Sequence, residues 1–123
     1  MTNTHITIGG HKVTTNKVGT LHNITTLEAG FSFGSGGALK WIVRNGICVI
    51  SMQEVQSSTI GNNKLLIKDI PPNINMVEWG MCYDNRGALF IFPNATELRV
   101  NVTSLSNLNA TIVYPVADDW VES

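Results

Sequence analysis

At 123 residues, with 14% charged side chains and a formal net charge of −1, the chain has room for one domain and no basic stripe for nucleic acid. No acidic tail is present and no apolar run approaches a membrane span, so the polar surface must be built from Thr, Asn, Ser and Gly, as in extracellular β-proteins or oligomers. Cys48 and Cys82 sit inside apolar runs and read as buried thiols, with a single disulfide as the alternative.

The opening, MTNTHITIGG, has neither the basic start nor the apolar stretch of a secretory signal. The segment that follows has short β-like pieces separated by Gly and Asn, with sparse apolar residues: Ile6, Ile8, Val13, Val18, Leu21, Ile24 and Leu27. So few side chains bury no core alone, whereas strands of this kind are stable when interlaced with copies of themselves. This predicts a neck and linker over residues 1–30, joined through the Gly-rich GFSFGSGGA to a head over 31–123. In the head, Leu39, Trp41 and Val43 alternate with Lys40, Ile42 and Arg44, and Asn45-Gly46 follows, the pair that a type I′ turn requires. Ile47, Val49 and Ser51 then alternate with Cys48, Ile50 and Met52, which completes a hairpin over about 38–55. A short strand, KLLIKDI, stops at Pro71-Pro72. A second hairpin covers 76–92, turning at 84–87 and broken by Pro93-Asn94. Leu98, Val100 and Val102 alternate with Glu97, Arg99 and Asn101, and an apolar strand over 110–116 closes the series. No helical stripe of useful length appears, so the fold class is all-β: an antiparallel barrel or jelly-roll-like head on a short interlaced β neck.

No nucleophile lies in a recognisable motif, and no carboxylate pair has spacing that suggests sugar hydrolysis, so the chain reads as a non-enzyme. His5, His11 and His22 match no zinc pattern, and neither a metal nor another cofactor is expected. The sequons at Asn23, Asn94, Asn101 and Asn109 matter only in a eukaryotic secretory protein. Carbohydrate sites combine an aromatic face with groups that bond hydroxyls. Tyr83, Asp84, Asn85 and Arg86 have that inventory, as do Asp118, Asp119 and Trp120. The alternatives are turn chemistry for the first cluster, with Gly87 supplying a positive φ, and a packing anchor for Trp120. Trp41 and Trp79 read as core or subunit interface.

The sparse β neck, the hairpin LKWIVRNGICVIS, IPPNIN before a strand, the D-x-x-G hairpin in CYDNRGALFIF and the late strand NATIVYPV together resemble the head domain of tailed-phage receptor-binding proteins of the lactococcal siphophage type. The positions that carry the resemblance are Trp41, Arg44, Gly46, Pro71, Pro72, Asp84, Gly87 and Tyr114, and it covers most of residues 15–117. It implies a homotrimer in the virion's tail tip or baseplate, attached to other baseplate or tail proteins on its N-terminal side. The heads of such a protein bind host cell-wall saccharide, with no nucleic-acid partner and no membrane insertion. The places where relatives hold sugar fall on Gly80 and Cys82, which lack the polar groups, and near Phe92, which keeps a stacking ring. The other readings are a structural trimerising tail module that binds no sugar, and a cytokine- or complement-like trimeric jelly roll that binds protein.

Overall fold

The computed structural model describes residues 4–8, 11–15, 19–117 and 120. Among the described residues, strands β1 (Thr4–Ile8) and β2 (His11–Thr15) form a two-stranded sheet of their own, Thr4 opposite Thr15 and Ile8 opposite His11. The other strands are β3 (His22–Asn23), β4 (Phe31–Arg44), β5 (Ile47–Ser57), β6 (Gly61–Ile67), β7 (Glu78–Met81), β8 (Gly87–Ile91), β9 (Leu98–Val102) and β10 (Leu108–Pro115). They form two four-stranded antiparallel sheets, ordered β10-β5-β4-β3 and β6-β9-β8-β7. The second is a Greek key: β7, β8 and β9 are consecutive neighbours, and β6 lies beside β9.

Period-two alternation decides which faces meet. Leu39, Trp41 and Val43 of β4, Cys48, Ile50 and Met52 of β5, Leu98, Val100 and Val102 of β9, and Leu108, Ile112 and Tyr114 of β10 are buried in one core. Full burial of each large aliphatic side chain is worth about 1.5–3 kcal/mol, which makes this shared face the main source of stability. The expected first hairpin turn is present: Asn45 (φ 50°) and Gly46 (φ 77°) both take the left-handed conformation.

The N-terminal part of the head differs from expectation. Residues 19–28, read as neck, lie along the head: the Gly19 N–H donates to Val43 O at 2.7 Å, Ile24 N–H to Leu39 O at 2.9 Å and Glu28 N–H to Leu66 O at 3.0 Å. Without them, the outer edge of β4 would leave its backbone groups unpaired, and Ile24 and Leu27 cover the core from that side. The Gly-rich stretch read as a linker lies within β4. Its residues 34–37 bulge out between the paired Phe33 and Ala38 while the strand continues on both sides.

The two sheets meet where β7 lies against β10. A Cβ at Gly80 would sit 2.5 Å from Thr111 O and 2.9 Å from Ile112 Cβ, so only glycine permits this approach. A buried loop anchor stands nearby. Asn73 donates through Nδ2 to Met76 O (2.9 Å) and Ile91 O (3.2 Å), and the Tyr114 hydroxyl donates to Pro71 O at 2.9 Å.

Both cysteines are free and buried. Burial pushes each thiol up from 9.0 to about 11, partly opposed at Cys48 by a hydrogen bond with Tyr114. Burial, and then Cys48, push the Tyr114 phenol up as well. The unfolded thiols lose their protons at lower pH than the folded ones, so stability should be full below about pH 9 and fall as pH rises through 11. A thiol reagent at pH 8 should label neither cysteine in the folded chain and both after denaturation; fast labelling of the native protein would contradict this packing. Gly80→Ala should destabilise by about 1–3 kcal/mol, seen as a lower urea midpoint at constant slope. An unchanged midpoint would mean that β7 can move off β10.

Candidate functional site

At the tip of the β7–β8 hairpin the chain leaves Cys82 in extended conformation and makes one 3₁₀ turn, Tyr83–Asn85. The positive φ expected of Gly87 is instead taken by Asp84 (φ 60°) and Asn85 (φ 56°), residue types that tolerate the left-handed region. Gly87 is needed for space, because a Cβ there would overlap Asn101 O on β9. Arg86 organises the tip. Its Nη1 donates to Asn107 O at 3.0 Å, its Nη2 lies 3.7 Å from Asp84 Oδ2, and its guanidinium sits 5.9 Å from the centre of the Tyr83 ring. The Tyr83 side is left open, at 70% exposure. Loop 103–107 is tied to the tip by Thr103, whose N–H donates to Arg86 O (3.0 Å) and whose hydroxyl donates to Asn85 O (2.8 Å).

Asn107 carries the tip across to the bulge in the other sheet. Its Oδ1 accepts from Gln56 Nε2 at 2.7 Å. In the ladder, residues 34–37 of β4 face Glu54 alone on β5, and Gln53 Nε2 holds the excursion by donating to Gly36 O at 2.8 Å. Glu54 itself is left-handed (φ 49°), with its N–H donating to Asn109 Oδ1 at 3.1 Å. Beside Gln56 runs an open groove of about 320 Å³ lined by Phe31, Ser32, Ser58 and Leu105. That is about the smallest volume that ordinary ligand sites show. Tip, loop, bulge and groove together make one shelf at one end of the sandwich. It offers an exposed aromatic ring, carboxamides, two carboxylates and one arginine.

No family model, curated protein or solved structure matches the chain.

The other predicted residues lie elsewhere. Phe92 follows β8 at the end away from the tip, a strand length or roughly 17 Å from Gly87. There it meets Phe90 edge-on at 5.3 Å, and Phe90 lies 5.0 Å from Trp79. Phe90 is buried yet stands outside the main core, on the outer face of its sheet beneath the half-exposed Trp79. Trp79 is therefore not a core residue, unlike Trp41. Trp120 packs edge-on against Trp41 at 6.4 Å, and Trp41 stacks on His22 at 3.8 Å, so Trp120 serves as the C-terminal packing anchor. Asp118 and Asp119 lie outside the described residues. Gly80 and Cys82 are buried facing the core, which explains why neither carries a polar group.

Sequence reading weighed Glu54 only among the carboxylates set aside for sugar hydrolysis, and missed Gln56, Leu105 and Asn107. One signal was available: Gly34, Gly36 and Gly37 interrupt an otherwise regular β pattern, which marks a bulge as readily as a linker. Arg86→Ala should cost about 1–2 kcal/mol, because it removes a charged donor from Asn107 O. Asp84→Asn should cost less than about 0.5 kcal/mol, because the carboxylate is open to water and asparagine accepts the same left-handed backbone. Chemical denaturation of both variants checks the order, and equal effects would deny Arg86 its organising place.

Proposed function

We propose that this chain is the receptor-binding head of a tailed-phage tail or baseplate protein: a non-enzymatic adhesin that adsorbs to saccharide on a bacterial surface. The shelf is the observation that carries this reading. An open aromatic ring can pack on the C–H face of a sugar, and the surrounding amides, carboxylates and arginine match its hydroxyls. The shelf's position supports the same reading. The chain enters the head beside Val43, at the far end of β4 from Phe31 and the bulge, so the shelf lies opposite the N-terminal attachment. Baseplate partners would then hold the N-terminal side while the shelf meets the cell.

The finer architecture we propose is a jelly-roll-like head in a homotrimer. Trp79, Met81 and Phe92 are large apolar side chains left exposed on the outer face of one sheet, the kind of surface that a neighbouring copy covers. Three shelves on one stalk would raise a weak single-site affinity through effective concentration. The same outer face favours the second reading, a structural trimerising module without a sugar site.

Host cell-wall polysaccharide should bind the purified chain, and light scattering should return three times the chain mass. Tyr83→Ala should weaken binding about tenfold or more, as loss of a stacking ring does. Trp120→Ala should lower stability and leave binding unchanged. An empty glycan array from a well-folded trimer would transfer the case to the structural reading, and a monomer at micromolar concentration would remove the trimer.

A further inference from the structure

Glu54 is an unusual residue for its place. It sits in the middle of a strand with φ 49°, where a side chain other than Gly, Asn or Asp is strained by roughly 1–2 kcal/mol. Glycine would meet the same backbone need without strain. The strand opposite also makes way for this side chain. A Cβ at Gly36 would overlap the Glu54 carboxylate, while Gly37 gives room to the backbone, where a Cβ would sit 2.8 Å from the Glu54 carbonyl oxygen. Among the described residues, no cation or donor engages that carboxylate. The fold thus holds a strained glutamate whose carboxylate lies over Gly36, with no donor on its oxygens among the described residues.

The surrounding groups limit what those oxygens can meet. The tip (83–86), loop 103–107, excursion 34–37 and strand segment 53–56 contain three charged side chains: Glu54, Asp84 and Arg86, net −1. The single cation is already shared among Asp84, Asn107 O and the Tyr83 ring. Donor groups of Gln53 and Gln56 are engaged by Gly36 O and Asn107 Oδ1. A phosphate or carboxylate ligand would meet net repulsion here, while a hydroxyl or ammonium donor would find an open acceptor.

We infer that Glu54 is the specificity-determining acceptor of the shelf, and that it selects neutral or amino saccharides over phosphorylated or acidic ones. The inference rests on the saccharide-binding reading and names the ligand class of that same site. The left-handed glutamate is kept for its carboxylate at the expense of stability.

The test uses the full chain with host wall fragments separated into neutral, amino-sugar and phosphorylated pools, measured by calorimetry. The wild type should bind the neutral or amino pool about tenfold or more tightly than the phosphorylated pool. Glu54→Gly should raise Tm by a few degrees, through relief of backbone strain, and weaken binding about tenfold or more. Glu54→Gln keeps the side-chain shape and removes the charge, so it should lose the discrimination against the phosphorylated pool; unchanged discrimination would overturn the inference. Gly36→Ala should weaken binding by displacing the carboxylate and leave Tm nearly unchanged. Glu54→Gly binding within twofold of wild type, or a wild type that prefers the phosphorylated pool, overturns the inference and leaves the saccharide reading standing. A wild type that binds none of the pools overturns both. A Glu54→Gly variant with lowered Tm would show that the side chain serves the fold, and would also overturn the inference.

Discussion

The close approach of β7 to β10 at Gly80 is the constraint on which the rest of the head depends. Ladders of hydrogen bonds hold each sheet together internally, but the two sheets are held to one another mainly by packing with a few bonds between their ends, and packing needs the backbones at that edge to come near. A side chain at residue 80 would hold β7 off Thr111 and Ile112. With β7 in place, the tip of its hairpin arrives beside the start of β10, and Arg86 can reach Asn107 O. The same Asn107 receives Gln56 from the neighbouring strand, which links the tip to the bulge. The shelf is therefore a consequence of how the sheets dock, built from segments about 50 residues apart in sequence.

The bulge and the tip use one device for different ends. At the tip, left-handed Asp84 and Asn85 make a turn with residue types that accept that conformation at small cost. At the bulge, Glu54 takes the same region without that tolerance, opposite a segment nearly all glycine. The first is what turn chemistry alone would select. The second needs a further reason, and the acceptor role inferred for its carboxylate would supply one.

The two ends of the head are chemically unlike. The end with the bulge is rich in amides and hydroxyls around one open phenol ring. Towards the other end lie the aromatic group of Trp79, Phe90 and Phe92 on one sheet and the His22, Trp41 and Trp120 group on the other. The residues picked out from sequence as one class of sugar-binding candidates fall on both ends. Aromatic and polar residue types identify possible contacts but not which of them converge.

Most of the strands, the core faces of β4, β5 and β9, and the first hairpin turn were legible in the sequence, because they follow from period-two alternation and local backbone preference. Leu39, Trp41 and Val43 faced the core as their spacing required, and Asn45-Gly46 turned as its residue types demanded. The sequence also marked Tyr83 to Arg86 as a polar, aromatic tip. Packing between the sheets, not local pattern, makes residues 34–37 bulge from a strand, turns Trp79 outward while Trp41 is core, and brings Glu54, Gln56 and Asn107 toward the tip. Those outcomes depend on which edges of the sheets meet, and register across a sandwich is set by the fit of whole faces rather than by any short run of residues.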